Sequence, residues 1–415
     1  MSGNSKRLAA GAAFLALAVP FSLVGAQTIR PDTANPQITD MVSRLSLERY
    51  KATIKGLTQF GDRQQGTDRN RAAVDWIEKQ LQSYGCTPTQ RITYEYAPRP
   101  RTGGQRAGQR PSAEQIAEYR RMREEGWSVG GSRMRGNIAP TGVNRDSLRQ
   151  PDPRLRELNR QQPTAGERQE VYCTKVGSKH PDQMYIVGGH MDGLGWGEAA
   201  NDDGSGTALV MELARVFSMP DVQTDVSIRF ILWNNEETGL NGARAYVEQR
   251  AALQGKEDPV GSGKYPEPKW LGMVQHDMMM FDHGMPNADS TLPAKQRPEA
   301  DVNIEFQSQS KFAEGAQKLA WHFRGANERY ATDYPAAVGP HMTNTDSSPF
   351  MDLVPAISMR ENERGMQIGA GWNPNWHQPT DLFSTYSDDD FRLGLNAAQT
   401  TLGAIAELAG ARVTR

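Results

Sequence analysis

The strongest periodic signal in the chain is the apolar stripe of Phe391, Leu395, Ala398, Leu402, Ile405 and Leu408. Steps of three and four place these residues on one face of a helix, and Ser387 with Asp390 forms the reciprocal cap that starts it. Val74, Ile77, Leu81 and Tyr84 predict another helix, stopped by Gly85. Leu209, Leu213 and Val216 predict one over 206–217, and a further helix is expected over 312–323. Short runs rich in β-branched and aromatic residues predict strands at 91–96, 170–175, 184–189, 226–233, 271–275, 302–306 and 354–358. From residue 169 onward strands and helices alternate, which predicts a doubly wound α/β fold: a mixed, mainly parallel sheet flanked by helices. Such a sheet opens its ligand crevice at the carboxyl ends of its strands. No internal repeat interrupts the pattern.

Two segments fall outside it. Lys6 and Arg7 precede an apolar stretch over 8–24, and Val24-Gly25-Ala26 offers small residues for cleavage, so 1–26 reads as a secretory signal peptide. No cysteine follows that cut to carry a lipid. Segment 97–168 holds 15 Arg, no Lys and 8 acidic residues, a net +7 against −11 for the rest of the chain after residue 26. It reads as an insertion, with Ser112 and Gln115 opening a helix that ends near Gly126. Its role is either that of a solvated excursion over the surface or that of a lid or docking patch for something acidic. The expected organisation is therefore a signal peptide at 1–26, the first part of the main domain at 27–96, an Arg-rich insertion at 97–168 and the rest of the main domain at 169–415.

Composition narrows the function. In 415 residues, 47 Lys and Arg meet 49 Asp and Glu, 37% of positions are hydrophobic and only 2 are Cys. This is the profile of a globular chain, neither disordered nor disulfide-dense. Near-zero net charge removes any composition-level case for a nucleic-acid partner. The body of the chain has no run of 18 apolar residues, so no membrane span is expected once the signal is cut. Export would place Cys86 and Cys173 in an oxidising compartment, where they are either a disulfide or two buried thiols.

Candidate chemistry gathers where the strands should end. The strand at 184–189 runs into His190-Met191-Asp192, and Asn201-Asp202-Asp203-Gly204-Ser205-Gly206 opens the next helix. The strand at 226–233 ends in Asn234-Asn235-Glu236-Glu237, the one at 271–275 in His276-Asp277, and Trp376-His377-Gln378-Pro379-Thr380-Asp381 follows the last. Each has an ordinary structural use: Asp202 and Asp203 as helix caps, Glu236 and Glu237 as solvated charges, His377 as a packed surface residue. Imidazoles and carboxylates together at strand ends, with too few cysteines for a thiolate cage, suit zinc or another borderline divalent ion.

The order HxD, NDxxSG, EE followed by Gly-Leu, a strand ending in Asp, and His-x-Pro-x-Asp resembles the co-catalytic zinc aminopeptidases. That family includes secreted bacterial leucyl aminopeptidases, plasma glutamate carboxypeptidase and the transferrin-receptor ectodomain. The resemblance spans about 47–410 apart from the Arg-rich segment. It implies two zinc ions, one held by His190 and Asp277, the other by Glu237 and His377, with Asp202 bridging them. Glu236 is then the general base that takes a proton from the shared water during peptide hydrolysis. Asp192 is the carboxylate that orients His190, and a cis peptide is expected between Asp202 and Asp203. Aminopeptidase activity is the commonest among secreted bacterial relatives, so a peptide substrate cut from its amino end is expected. The run Thr345-Asp346-Ser347-Ser348-Pro349-Phe350 departs from the family by placing Ser347 where histidine is common. Asp381 is expected either near His377 or in a loop hydrogen bond. Met278, Met279, Met280, Phe281, Phe350 and Trp372 line an apolar pocket or belong to the core. Two rivals remain: a single-zinc glutaminyl cyclase using Asp202, Glu237 and His377, and a non-catalytic receptor-like ectodomain.

Overall fold

The computed structural model describes residues 33–97, 143–283, 293–331, 333–340, 345–361 and 373–414. The segment expected to be a signal peptide, the helix expected from Ser112 and the residue Trp372 lie outside these ranges.

Helices α1 (Pro36–Ser43), α2 (Leu47–Thr58) and α3 (Asp68–Ser83) open the fold, with Ser46 and Thr67 capping the second and third. Strand β1 (Thr89–Tyr96) follows, then, past the undescribed residues, α4 (Pro153–Leu158), β2 (Gly166–Lys175) and β3 (His180–His190). Helix α5 (Gly204–Phe217), a short β4 (Val222–Gln223), β5 (Val226–Trp233), α6 (Asn241–Arg250) and β6 (Lys269–His276) complete the central unit. The remainder runs through β7 (Val302–Phe306), α7 (Ala313–Tyr330), β8 (Ala336–Gly339), β9 (Ala356–Arg360), α8 (Asp388–Leu408) and β10 (Arg412–Val413).

Eight strands form one sheet in the order β1-β2-β5-β3-β6-β9-β7-β8. Its middle, β5-β3-β6-β9, is parallel; β1, β2 and β7 join antiparallel. This is the mixed, mainly parallel sheet that the alternation of elements predicts. Strand β5 sits between β2 and β3 and is buried along its whole length, so it reads as a continuous apolar run. Its one charge, Arg229, is matched in the interior by Glu267, with Tyr246 completing the network.

One face of the sheet packs on α3, α5 and α8, with α2 set against α5 and α8, and residues such as Leu57, Phe217, Phe230 and Leu402 share that core. The other holds an aromatic cluster in which Trp233, Tyr246, Trp270 and Phe350 have ring centroids 5.3–6.0 Å apart. Each such side chain contributes about 1.5–3 kcal/mol by leaving water. Helix α8 starts at the Ser387–Asp390 capping box. Strand β9 begins two residues later than its apolar run, because Pro355 has no N–H for the ladder and Val354 packs in the aromatic cluster instead. Helix α7 continues past Phe323 to Tyr330, since Ala326 and Tyr330 extend its buried face.

Cys86 and Cys173 are bonded, with Cα atoms 5.7 Å apart and a sequence separation of 87. The bridge ties the segment after α3 to β2. Closing a loop of that length restricts the unfolded chain by about 4–5 kcal/mol in the chain-entropy model. Reducing the bond should therefore lower the unfolding free energy by about 4 kcal/mol in a denaturant titration, and an unchanged midpoint would contradict this.

His283 lies between the carbonyl of Pro293 at 2.9 Å and the Asp390 carboxylate at 2.8 Å. Burial opposes its charge, but Asp390 and that carbonyl raise its affinity for a proton above the ordinary histidine value. Its contribution to stability is therefore complete below about pH 6.5, the unfolded value, and is lost as pH rises through the folded value. Accordingly, the difference in unfolding free energy between the parent chain and His283→Gln should shrink from pH 6 to pH 9.

Candidate active site

The site grows from the carboxyl ends of β3, β5 and β6 and the amino end of α5. Gly189 on β3 and Gly206 on α5 face each other: a Cβ on Gly189 would fall 2.8 Å from the Gly206 backbone. This close approach brings the start of α5 against the end of β3, and so brings Asp202 beside His190. Asp203 caps α5 by accepting from Gly206 N, and it also accepts from His190 N at 2.9 Å and Met278 N at 3.2 Å. Of the two neighbouring aspartates, then, Asp203 is the cap and Asp202 faces the site. The peptide bond between them is cis.

Asp202 presents its two oxygens to two different imidazoles. Oδ1 is 3.2 Å from His190 Nε2, and Oδ2 is 3.1 Å from His377 Nε2. On the first side Asp277 lies 3.8 Å from His190 Nε2; on the second, Glu237 lies 2.7 Å from His377 Nε2. Three groups of potential donors, each with atoms within 4.8 Å, result: His190–Asp202–Asp277, Asp202–Glu237–His377 and His190–Glu236–Glu237. Donors on a tetrahedral zinc at about 2.0–2.2 Å are separated by roughly 3.3 Å, close to the His–Asp202 spacings.

The electrostatics point the same way. Asp192, Asp202, Asp203, Glu236, Asp277 and Asp346 are all at most 8% exposed, and Glu237 is half-buried beside them. Burial and neighbouring carboxylates push Glu236, Asp203 and Asp346 well above the ordinary carboxylate range, and carry Glu237 to about 7. Burial also works against charge on His377, yet Glu237 and Asp202 raise its imidazole to about 10. Asp277 is held far down: burial opposes its charge, but Arg360, with Nη1 3.0 Å away, and His190 prevail. Burial likewise opposes charge on Asp202, and its hydrogen bonds to His190 and His377 lower it. Buried Glu237 Oε1 and His377 Nδ1 find no hydrogen-bond partner. A crowded set of hard and borderline donors with excess negative charge fits divalent cations, and the His/Asp groups are compatible with zinc.

Supporting groups fix these side chains. Asp192 Oδ1 accepts from Glu236 N at 3.0 Å and Oδ2 from Glu237 N at 3.4 Å, so one carboxylate aims both glutamates. His190 Nδ1 instead donates to the Asp192 carbonyl, at 3.0 Å, while the Asp192 carboxylate stays 3.9 Å away. The expected side-chain contact thus differs from the one found: the carbonyl directs His190 Nε2 toward Asp202. Asp381 does not touch His377; it makes loop hydrogen bonds to Asn201 N at 2.9 Å and Asp202 N at 3.1 Å. Asn235, Met278 and His377 adopt left-handed backbone with φ of 65°, 58° and 55°, a conformation that non-glycine residues tolerate where the surroundings hold it.

Several participants carry no motif. Arg63, fully buried, donates to the carbonyls of Met191, Glu198 and Ala199 at 2.7–2.8 Å and shapes the loop after His190. Arg360 at the end of β9 braces Asp277. Asn70 and Asn234 exchange amide hydrogen bonds at 2.9 and 3.0 Å beneath Asn235. Only Arg360, by its place at a strand end, has a position that sequence reading could single out. Met278, Met279, Met280, Phe281 and Phe350 are buried at 8% or less and belong to the core. Ser347 bonds Ser358 at 2.7 Å in the interior. Among the described residues, no helix is long and apolar enough to cross a membrane.

Comparison with known proteins places this arrangement. Aminopeptidase YwaD of Bacillus subtilis is 40% identical over 82 residues, 20% of this chain and 17% of that protein. Carboxypeptidase Q of Xenopus laevis is 38% identical over 73 residues, 18% and 16%. The matched stretches thus span less than a fifth of these relatives. The fold superposes on a Bacillus subtilis zinc aminopeptidase, BSAP, with a TM-score of 0.56 at 17% identity, covering 89% of this chain and 96% of that one. It also superposes on a Porphyromonas gingivalis glutaminyl cyclase with a TM-score of 0.52 at 16% identity, covering 88% and 99%. At such identities these likenesses describe the fold. The pattern defining Peptidase family M28 matches residues 170–399, more than half of the chain and the span that supplies all five candidate donors, and the protein belongs to that family.

Proposed function

We propose that the protein is a two-zinc exopeptidase, an aminopeptidase by preference, exported by its first 26 residues to the periplasm or the medium. The observation that carries this is the placement of Asp202 between two imidazoles, each with its own further carboxylate. In this reading His190, Asp202 and Asp277 hold one ion, and Asp202, Glu237 and His377 hold the other. When bound, the ions polarise the scissile carbonyl and make a water acidic enough to lose a proton near neutral pH. Glu236, beside His190 and Glu237, accepts that proton as the water oxygen attacks the carbonyl carbon. It returns the proton to the nitrogen as the C–N bond breaks, so the amine departs neutral and the acid product keeps the water oxygen. Asp192 holds Glu236 and Glu237 in place through their backbone N–H groups.

A cyclase needs only the Asp202–Glu237–His377 group, and the same fold serves a glutaminyl cyclase. The second group, around His190 and Asp277, is what favours the peptidase with two ions. The decisive test is a metal count on the full chain, with rates on aminoacyl-anilide, carboxypeptidase and glutaminyl substrates before and after chelation. Two zinc ions and chelator-sensitive release of the amino-terminal residue are expected. One ion with cyclisation of glutaminyl peptides would replace the proposal with the cyclase, and no turnover of any substrate would point to a binding ectodomain.

A further inference from the structure

Segment 143–160, the far end of the Arg-rich stretch, is largely polar, yet three of its amide residues are buried: Asn144 at 7%, Gln150 at 0% and Asn159 at 2% exposure. A solvated excursion has no need to bury amides. All three contact the loops around the candidate ligands. Asn144 N donates to the carbonyl of His377 itself at 3.0 Å. Gln150 divides its two Nε2 hydrogens between the carbonyls of Trp196 at 2.8 Å and Pro379 at 2.9 Å, one on each of two loops, while its Oε1 accepts from Asp152 N at 3.1 Å. Asn159 donates to the Gly197 carbonyl at 2.8 Å and accepts from Asp62 N at 3.0 Å.

The two loops touch each other as well. Gly195, at φ 104°, lies so near His377 that a Cβ would fall 2.3 Å from its carbonyl carbon, and Glu198 N donates to Asp381 O at 2.8 Å. His377 itself sits at φ 55°, a backbone geometry it needs its surroundings to hold.

We propose that Gln150 is a positioning residue of the active site: its amide locks loop 193–198 to loop 376–381 and so keeps the His377 imidazole against Asp202 and Glu237. The end of the Arg-rich stretch is then part of the catalytic architecture. The amide is suited to this because it offers two donors from one nitrogen, and no hydroxyl or apolar side chain of similar size does. Without it, two buried carbonyls lose their partner and the loops open more often.

The proposal rests on the two-zinc reading for its consequence and on the apo fold for its cause, so two measurements separate them. The variant is Gln150→Met, close in shape but without donors, with Gln150→Glu as a second should the first not fold. In the metal-free full chain, hydrogen–deuterium exchange over 194–199 and 377–382 should quicken by about tenfold or more, with exchange in α8 unchanged. In the zinc-loaded chain, one of the two ions should pass to a competing chelator about 10–100 times faster than in the parent. Ile304→Val, a core change in β7 at three strands' remove from β3, serves as the control for general loss of stability. Exchange like that of the parent, or equal quickening in the Ile304→Val control, would overturn the clamp. A parent chain holding fewer than two zinc ions would overturn the two-zinc reading, while the exchange result would still decide the role of Gln150.

Discussion

Replacing Glu236 with glutamine should lower kcat/KM by about a thousandfold, roughly 4 kcal/mol of transition-state stabilisation, while leaving the zinc content unchanged. The substitution keeps the shape of the side chain. It also keeps the placement, because Asp192 holds residue 236 by its backbone N–H and not by its carboxylate. What it removes is the capacity to accept a proton from the attacking water. Steady-state kinetics with an aminoacyl-anilide, paired with metal analysis of the same preparation, checks both halves. Full activity would move the base elsewhere, and loss of zinc would make Glu236 a ligand.

Asp202→Asn should have the largest effect on the metal centre. Each oxygen of Asp202 faces one imidazole, 3.2 Å from His190 and 3.1 Å from His377. An asparagine can offer an oxygen to one side only and turns an NH2 group toward the other, so the variant should retain at most one ion and lose activity with it. Removing a negative charge from the pocket at the same time weakens the hold on the remaining ion. A ligand present at a thousandfold over its dissociation constant stabilises a fold by about 4 kcal/mol. Thermal unfolding of the parent should therefore shift upward on zinc loading, and that of Asp202→Asn should shift much less. A variant that still binds two ions and keeps the parent's shift would rule out a bridging role.

How far each feature was legible follows from its range in sequence. The stripe on α8, the cap at Ser387 and the apolar run of β5 depend on neighbours within a few residues, so local periodicity reveals them. The donors His190, Asp202, Glu237, Asp277 and His377, and the base Glu236, stand out for a related reason: each is at a strand end or loop where a buried apolar pattern breaks into polar groups. The start of β9 was less legible, because Pro355 interrupts a run that reads as continuous. Arg63 offered no local clue at all. It lies in a short turn between α2 and α3, and its importance comes from carbonyls 128–136 residues further along.

The sequence by itself therefore determined the class of fold, the order of its elements and the chemical kinds of side chain available at the strand ends. Only the tertiary structure decided the pairing of Cys86 with Cys173, the use of the Asp192 carbonyl on His190 while its carboxylate aims the glutamates, and the burial of Gln150 between two loops. The reason is that strand order brings together segments far apart in the chain. The side chains that meet there are selected by hydrogen-bond and charge requirements of the buried site, and these leave no periodic trace in the residues on either side.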